Sequence, residues 1–158
     1  MNINVRLAKP DDYKNVITLL QEMHLEHVLA EPAIFINEEV LSEEEYLERL
    51  QDESSLILIA EKSKEFAGFC VCRMVTAEKN PGLTARKLFR INNIAVGSDK
   101  RRLGVGEALY RAARDAAQKH TCDAIDLNVW TFNDEACSFY EALGMRCVNK
   151  RFQEEVPC

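Results

Sequence analysis

Three consecutive cations followed by two closely spaced glycines could bind an anion. The cations are Lys100, Arg101 and Arg102, and the glycines are Gly104 and Gly106. Glycine lets a ligand approach the backbone closely, and the first N–H groups of a helix lack partners and lie at its positive end. Because the whole chain has a net charge of −6, this local positive charge indicates a specific anion rather than a generally basic surface. A phosphate group is suited to such a site.

The residues on either side of this run predict a strand that leads into a helix. The strand is indicated by an apolar run that ends at Val96, and a turn follows at Gly97-Ser98-Asp99. Small apolar residues at intervals of three and four then predict a helix from the glycines to about Lys119. A further strand is predicted over Asp123–Trp130, so the two strands are expected to be parallel, with a right-handed crossover.

The rest of the chain predicts further strands and helices of one domain over residues 1–158. Helices are expected from Asp11 or Asp12 to about Val28, after Ser42 to about Gln51, and between a cap at Asn133 and Gly144. Residues 62–65 are interpreted as a polar connection inside a hairpin. The other strands are predicted at Ile3–Leu7, Ser55–Glu61, Phe66–Thr76, Thr84–Val96 and Met145–Phe152.

Composition limits the classes of protein. The chain has 158 residues, of which 47% are hydrophobic, as in a globular domain. Because no leader or membrane-spanning run is evident, we expect a cytoplasmic protein with no membrane partner. The acidic balance disfavours nucleic acid as a partner. The six cysteines are scattered without a Cys-x-x-Cys pair, so reduced thiols and no metal site are expected.

Two glycine-rich nucleotide motifs match poorly. A P-loop needs Lys-Ser or Lys-Thr after its last glycine, but Gly106 is followed by Glu107 and Ala108. A dinucleotide fingerprint needs a third glycine where Leu109 stands, although acids do lie about twenty residues further on. A dinucleotide-dependent enzyme therefore remains only a distant alternative.

The segment Arg101-Arg102-Leu103-Gly104-Val105-Gly106 resembles the Arg/Gln-x-x-Gly-x-Gly/Ala signature of the GCN5-related N-acetyltransferase (GNAT) superfamily. The resemblance covers nearly the whole chain and is weakest over residues 30–52. It is carried by four segments in the family's order, VRLAKPDDYKNVITLL, EFAGFCVCRM, INNIAVGSDKRRLGVGEALYRAARDAA and LNVWTFNDEACSFYEALGM.

The resemblance implies a fold and an activity. The fold would be a single α/β (α+β) domain with a mixed, mostly antiparallel twisted sheet of about six or seven strands, about four flanking helices, and a splayed parallel strand pair at the cofactor site. The activity would be transfer of an acetyl group from acetyl-coenzyme A (acetyl-CoA) to an amine of a small molecule or peptide, without a metal. Such folds commonly form homodimers, and the sequence leaves monomer and homodimer both open.

The resemblance also implies roles for particular residues. The pyrophosphate would bind the backbone N–H groups from Arg102 to Gly106, and the pantetheine arm would pair with the strand edge at Ile94–Val96. Tyr140 would be the general acid for the departing thiolate, although a half-buried core tyrosine is an alternative. The full set of cofactor-binding residues is Ile94, Ala95, Val96, Arg101, Arg102, Leu103, Gly104, Val105, Gly106 and Asn133.

The chain departs from the family at the general base. Many relatives have a glutamate on the strand before the glycines, but here residues 90–94 read Arg-Ile-Asn-Asn-Ile. Water, His24, His27 or an acid between Glu38 and Glu45 could replace it. A weak base favours amines of low pKa, because a free lysine amine is only about 0.04% neutral at pH 7 and an α-amine on the order of 10%. The alternative function is a non-catalytic acyl-CoA-binding or regulatory module.

The acceptor pocket is expected in the parts of the chain that match the family least. These are Glu31–Asp52, which begins with an apolar loop over Glu31–Leu41, and the loop Ala77–Leu83. The apolar loop could equally pack into the core. Neither segment contains a motif that identifies the acceptor amine.

Overall fold

A mixed sheet forms the centre of the first of two units. The computed structural model describes residues 2–77 and 80–158 and divides the chain into two compact units, Met1–Asn128 and Val129–Cys158. Strands β1 to β4 are antiparallel to their neighbours, whereas β5 is parallel to β4. The predicted parallel crossover is thereby confirmed. The strands, in spatial order, are β1 (Ile3–Leu7), β2 (Ser55–Lys62), β3 (Glu65–Ala77), β4 (Arg86–Val96) and β5 (Ala124–Leu127).

The helices begin at the predicted caps. Ser42 Oγ accepts the N–H of Glu45 at 3.2 Å, and the Glu45 carboxylate accepts the N–H of Ser42 at 2.8 Å, so the predicted capping box forms. Asn133 Oδ1 accepts the N–H of Ala136 at 3.1 Å. Gly144 follows the last helix with a φ of +89°, the left-handed region that favours glycine. The helices are α1 (Tyr13–Ala30), α2 (Glu43–Gln51), α3 (Val105–Lys119) and, in the second unit, α4 (Asp134–Ala142).

Both faces of the sheet are buried. Ile57, Ile59, Phe69 and Val71 pack with buried side chains of α1 and α2. The alternate residues Leu58, Ala60, Cys70 and Cys72 are also buried, and α3 packs across β2, β3 and β4. Because successive side chains of a strand point to opposite faces, α1 and α2 cover one face and α3 covers the other. All six cysteines are free thiols.

The predicted closing strand Met145–Phe152 is wrong, and the described residues form five strands rather than six or seven. Alternate positions of this segment mix apolar with polar or charged side chains, so neither face of a strand there would be apolar. Val148 and Phe152 are 73% and 89% exposed. The strand predicted over Asp123–Trp130 is also shorter, since β5 ends at Leu127.

Candidate functional site

Strand β4 is paired on both edges in its first half and on one edge in its second half. Its last pair with β5 is Ile91 with Leu127, whereas its pairing with β3 continues to Val96. The register with β3 shifts at the same place, because Val71 faces Asn93 and Cys72 faces Ile91. Asn92 is therefore the extra residue of a β-bulge, which bends a strand. The bulge lies where the pairing of β4 with β5 ends. The splaying of these two strands, which the resemblance implies, stays a prediction.

The hydrogen-bond pattern shows which backbone groups face the open edge of β4. The N–H of Gly97 donates to the carbonyl of Ala67 at 2.9 Å, so this pair is hydrogen-bonded. Hydrogen-bonded and non-hydrogen-bonded pairs alternate in an antiparallel ladder. The N–H and C=O groups of Ala95 therefore point to β3, and those of Ile94 and Val96 point to the open edge.

Gly68 allows β3 to hold the end of β4 closely. It lies opposite Val96, and a Cβ built on it would lie only 2.4 Å from the carbonyl oxygen of Ala95. Any larger residue would displace the backbone of β4. Gly68 is not among the predicted site residues, although an isolated glycine within a strand indicates a close backbone approach.

The N-terminus of α3 has no side-chain cap among the residues that the structure describes. Its N-cap is Gly104, whose φ of +86° lies in the left-handed region that favours glycine. Glu107, in the first turn, forms an ion pair with Arg111, with Nη2 of Arg111 2.6 Å from Oε1 of Glu107. Among the described residues, no side chain therefore caps the first-turn N–H groups, which suits a phosphate. A surface depression of about 260 Å³ lies here, lined by Gly104, Glu107, Ala108 and Arg111.

The three cations before α3 differ in their contacts. Lys100 Nζ lies 2.9 Å from Glu65 and 3.5 Å from Asp99, and its hydrogen bond to Glu65 raises the pKa of Lys100. Arg101 Nε lies 3.5 Å from the carbonyl oxygen of Val96, at the limit of a hydrogen bond. Arg102 is exposed and has a φ of +60°. Within the described part of the chain, only Lys100 of the three is held in an ion pair.

Asn133 is the N-cap of α4 in the second unit, and Tyr140 lies within that helix. The cap uses Oδ1 of Asn133 and leaves its amide N–H donors outside the cap. Tyr140 is 8% exposed, and its ring centroid lies 5.1 Å from that of Phe139. The roles of Asn133 and Tyr140 towards a cofactor stay predictions.

Two of the candidate bases are histidines of α1 that contact the apolar loop. His24 Nε2 lies 2.7 Å from the carbonyl oxygen of Ile36, and His27 Nδ1 lies 2.7 Å from that of Met23. Both rings make edge contacts with Phe35. Since a carbonyl only accepts hydrogen bonds, these two nitrogens carry the protons, and in a neutral His24 the lone pair lies on Nδ1.

One of the acidic candidates, Glu45, takes part in the cap of α2. The carboxylate of Glu45 is held by the backbone N–H of Ser42, which lowers the pKa of Glu45 and makes it a poorer base.

The first of the two loops expected to form the acceptor pocket is only partly buried. The apolar loop has exposed Ile34 and Ile36 and a buried Leu41. In the loop Ala77–Leu83, Glu78 and Lys79 lie outside the described residues.

Neither a metal-binding cluster nor a membrane-spanning helix is present among the described residues. No group of three or more histidine, cysteine, aspartate or glutamate side chains there could hold a metal ion. None of the helices in that part of the chain has the length and apolarity needed to cross a membrane.

Comparisons with known proteins give a family match and close structural matches. The Acetyltransferase (GNAT) family matches residues 20–145. The uncharacterized N-acetyltransferase YhfO of Bacillus subtilis (strain 168) is 30% identical over 96 residues, which are 61% of this chain and 62% of that protein. The chain thus matches less than two thirds of this relative's length.

The structural matches cover nearly the whole chain. A mutant of the BH1408 protein from Bacillus halodurans is 29% identical, with a TM-score of 0.92 over 98% of this chain and 99% of that one. The aminoglycoside N-acetyltransferase AAC(6')-Iy, solved in complex with CoA, is 16% identical, with a TM-score of 0.75 over 99% of this chain and 96% of that one. At this identity the second likeness shows the fold alone.

Proposed function

Because the chain belongs to the Acetyltransferase (GNAT) family, we propose that it transfers an acetyl group from acetyl-CoA to a primary amine of a small molecule or peptide. The observation that carries this proposal is the loop Gly97–Gly104, which joins the open edge of β4 to the uncapped N-terminus of α3. An elongated ligand with an anionic end fits such a pair of features, because its amides can pair with the edge and its phosphates with the helix.

The anionic end of the cofactor would bind at the start of α3. The backbone N–H groups from Arg102 to Gly106 would donate to the pyrophosphate, and the exposed Arg101 and Arg102 would add charge. Leu103 is exposed, whereas Val105 is 1% exposed and fixes the first turn of α3 in the core. Acetyl-CoA, when bound, supplies the activated acetyl thioester.

The open edge of β4 would bind the pantetheine arm and polarise the thioester. Ile94 and Val96 supply the outward N–H and C=O groups, and Ala95 between them packs against the core of the α1 and α2 face. A backbone N–H there, of Val96 or Ile94, would stabilise the negative charge that develops on the thioester oxygen. The N–H of Ala95 is a poorer candidate for this donor, because it points to β3.

The amine would attack directly in a ternary complex. Asn133 would contact the pantetheine arm through its amide, and Tyr140 would protonate the departing thiolate, roles that rest on the family's motif. A free tyrosine has a pKa of about 10 and a thiol about 8.5, so the transfer is uphill by about 2 kcal/mol unless it accompanies C–S cleavage. Since residues 90–94 contain no acid, the acceptor would be an amine of low pKa.

The test is a panel of amines with release of free thiol as the readout. We expect acetyl-CoA and an amine of low pKa, such as an amino-acid or peptide α-amine, to release thiol faster than either alone. A clear preference for lysine side chains would contradict the choice of amine. Thermal stabilisation by acetyl-CoA but not by NAD would separate this proposal from a dinucleotide-dependent enzyme.

A second candidate is a non-catalytic acyl-CoA-binding or regulatory module. The absence of an acid at residues 90–94 favours it, because the amine then lacks the base that many relatives have. Under this candidate, acetyl-CoA raises the melting temperature but no amine in the panel releases thiol.

A further inference from the structure

Lys62 is a buried cation that the proposed function does not use. It lies at the end of β2 rather than in the predicted polar connection, and it is only 7% exposed. Its Nζ atom is buried and has no hydrogen-bond partner among the described residues. Burial of an unpaired ammonium group is costly, so an anion that reaches it would gain binding energy.

The carboxylates next to Lys62 are already paired with other cations. Glu61 precedes it in β2 and is held by Arg6, with Nη2 2.8 Å from Oε1. Glu65 lies opposite Lys62 in the hairpin and binds Lys100 at 2.9 Å. Neither carboxylate neutralises Lys62.

Strand pairing connects Lys62 to the start of α3 through Ile3. Alternation along β2 puts Lys62 on the same face as Leu58 and Ala60, the face that α3 covers. Lys62 is paired with Ile3, and Ile3 Cδ1 lies 3.7 Å from the position of a Cβ on Gly104. Ile3 therefore lies next to Lys62 across the ladder and also next to the N-cap of α3.

The loop before α3 is fixed to the same end of the β2–β3 hairpin. Lys100 binds Glu65, the hairpin partner of Lys62, and the N–H of Gly97 donates to Ala67 near the start of β3. The first residues of the loop are therefore tied to the strand end that carries Lys62.

We propose that Lys62 is a positioning residue for a phosphate group bound at the N-terminus of α3, with its ammonium acting from beneath the loop Gly97–Gly104. This rests on the proposed function, because the phosphate would belong to coenzyme A. The buried charge and the first-turn N–H groups would act on the anion from different sides. The arrangement stabilises the bound state at the expense of the free protein.

The test compares Lys62→Met with Lys64→Met, a change of the same kind at an exposed residue two positions away. In Lys62→Met we expect the melting temperature of the ligand-free protein to rise by a few degrees. We expect the Kd for CoA, measured by calorimetry, to rise about ten-fold or more. Lys64→Met should leave both values unchanged. An unchanged Kd in Lys62→Met overturns the proposal.

Further binding measurements identify which phosphate of CoA depends on Lys62. They also distinguish failure of this proposal from failure of the proposed function. Equal weakening for CoA and dephospho-CoA assigns Lys62 to the pyrophosphate, and weakening for CoA alone assigns it to the 3′-phosphate. If the wild type binds inorganic pyrophosphate but not CoA, the proposed function fails, and weaker binding by Lys62→Met still supports the anion site. Binding of neither ligand overturns both proposals.

Two further variants serve if Lys62→Met folds poorly. Lys62→Arg is expected to keep the affinity for CoA, and Lys62→Gln is expected to lose it. Equal affinities for CoA in these two variants overturn the proposal.

Discussion

At the scale of single residues, the hydroxyl of Tyr140 is the group whose removal tests the chemistry most directly. Tyr140→Phe removes the proposed acid and keeps the ring. We expect turnover to fall by about 10²- to 10⁴-fold, the usual contribution of a general acid, with a nearly unchanged Kd for acetyl-CoA. Tyr110→Phe is the matched control, because Tyr110 is also 8% exposed. Unchanged turnover in Tyr140→Phe would leave Tyr140 as a core aromatic.

Residues whose role depends on their neighbours in sequence were predicted well. The caps at Ser42 and Asn133 and the left-handed Gly144 follow from local backbone chemistry, and the structure confirms them. The burial of Lys62 could not be predicted, because it arises from β1, the hairpin and α3 together. The N–H and C=O groups of Val96 point to the open edge because of which β3–β4 pairs are hydrogen-bonded. The sequence of β4 alone does not determine this.

At the scale of elements, an ion pair joins β4 to β5 just before they separate. Arg90 and Asp126 face each other across the two strands, with Nε to Oδ1 at 3.1 Å and Nη2 to Oδ2 at 2.7 Å. The next pair, Ile91 with Leu127, is the last one. The open edge of β4 begins just after this two-point contact, so we expect the ion pair to hold the two strands together there.

The variant Arg90→Met tests this role. Since both side chains are about one third exposed, we expect a loss of about 0.5–1 kcal/mol in the free energy of unfolding. We also expect faster amide hydrogen exchange in β5 and a several-fold higher Kd for CoA. Arg73→Met is the control, because Arg73 is exposed on β3 opposite Arg90 and lies away from β5. Equal exchange in the two variants would contradict the role of the pair.

Elements with a clear hydrophobic period were predicted better than irregular ones. The alanine-rich α3 ends at Lys119 as expected, since its apolar stripe repeats at intervals of three and four. The bulge at Asn92 was not foreseen, although two asparagines interrupt the apolar run there. The strand predicted over Met145–Phe152 was wrong. The residues there suggested an extended chain, but each face of such a strand would mix apolar with polar side chains and could not be buried.

At the scale of the whole molecule, the two faces of the sheet have different tasks in the proposed enzyme. The α3 face contains the uncapped helix start and Lys62, and it would hold the phosphates. The α1 and α2 face contains the core under the apolar loop and the two histidines. The resemblance is weakest in this second region, so family membership constrains the cofactor far more than the amine.

Stability of the whole molecule should fall in acid. Arg6 donates to Asp12 at 2.8 and 2.9 Å, and this lowers the pKa of Asp12 below its ordinary value of 3.8, although desolvation opposes the shift. The pKa values of Glu45 and Asp52 are also lowered, chiefly by backbone N–H donors at Ser42 and Ser54. A carboxyl group with a lowered folded-state pKa stabilises the protein above its unfolded pKa of about 4, and this is lost as the pH falls through the folded value.

The expected result is a constant free energy of unfolding from pH 7 to about 5 and a decline from about 4 downwards, as measured by urea denaturation. Asp12→Asn should lose about 1.5–3 kcal/mol at pH 7, because it removes the charged partner of Arg6, and its acid decline should be shallower. Asp11→Asn is the matched control, since Asp11 is the exposed neighbour of Asp12. If both variants show the same acid decline as the wild type, the contact between Arg6 and Asp12 does not control the acid stability of the fold.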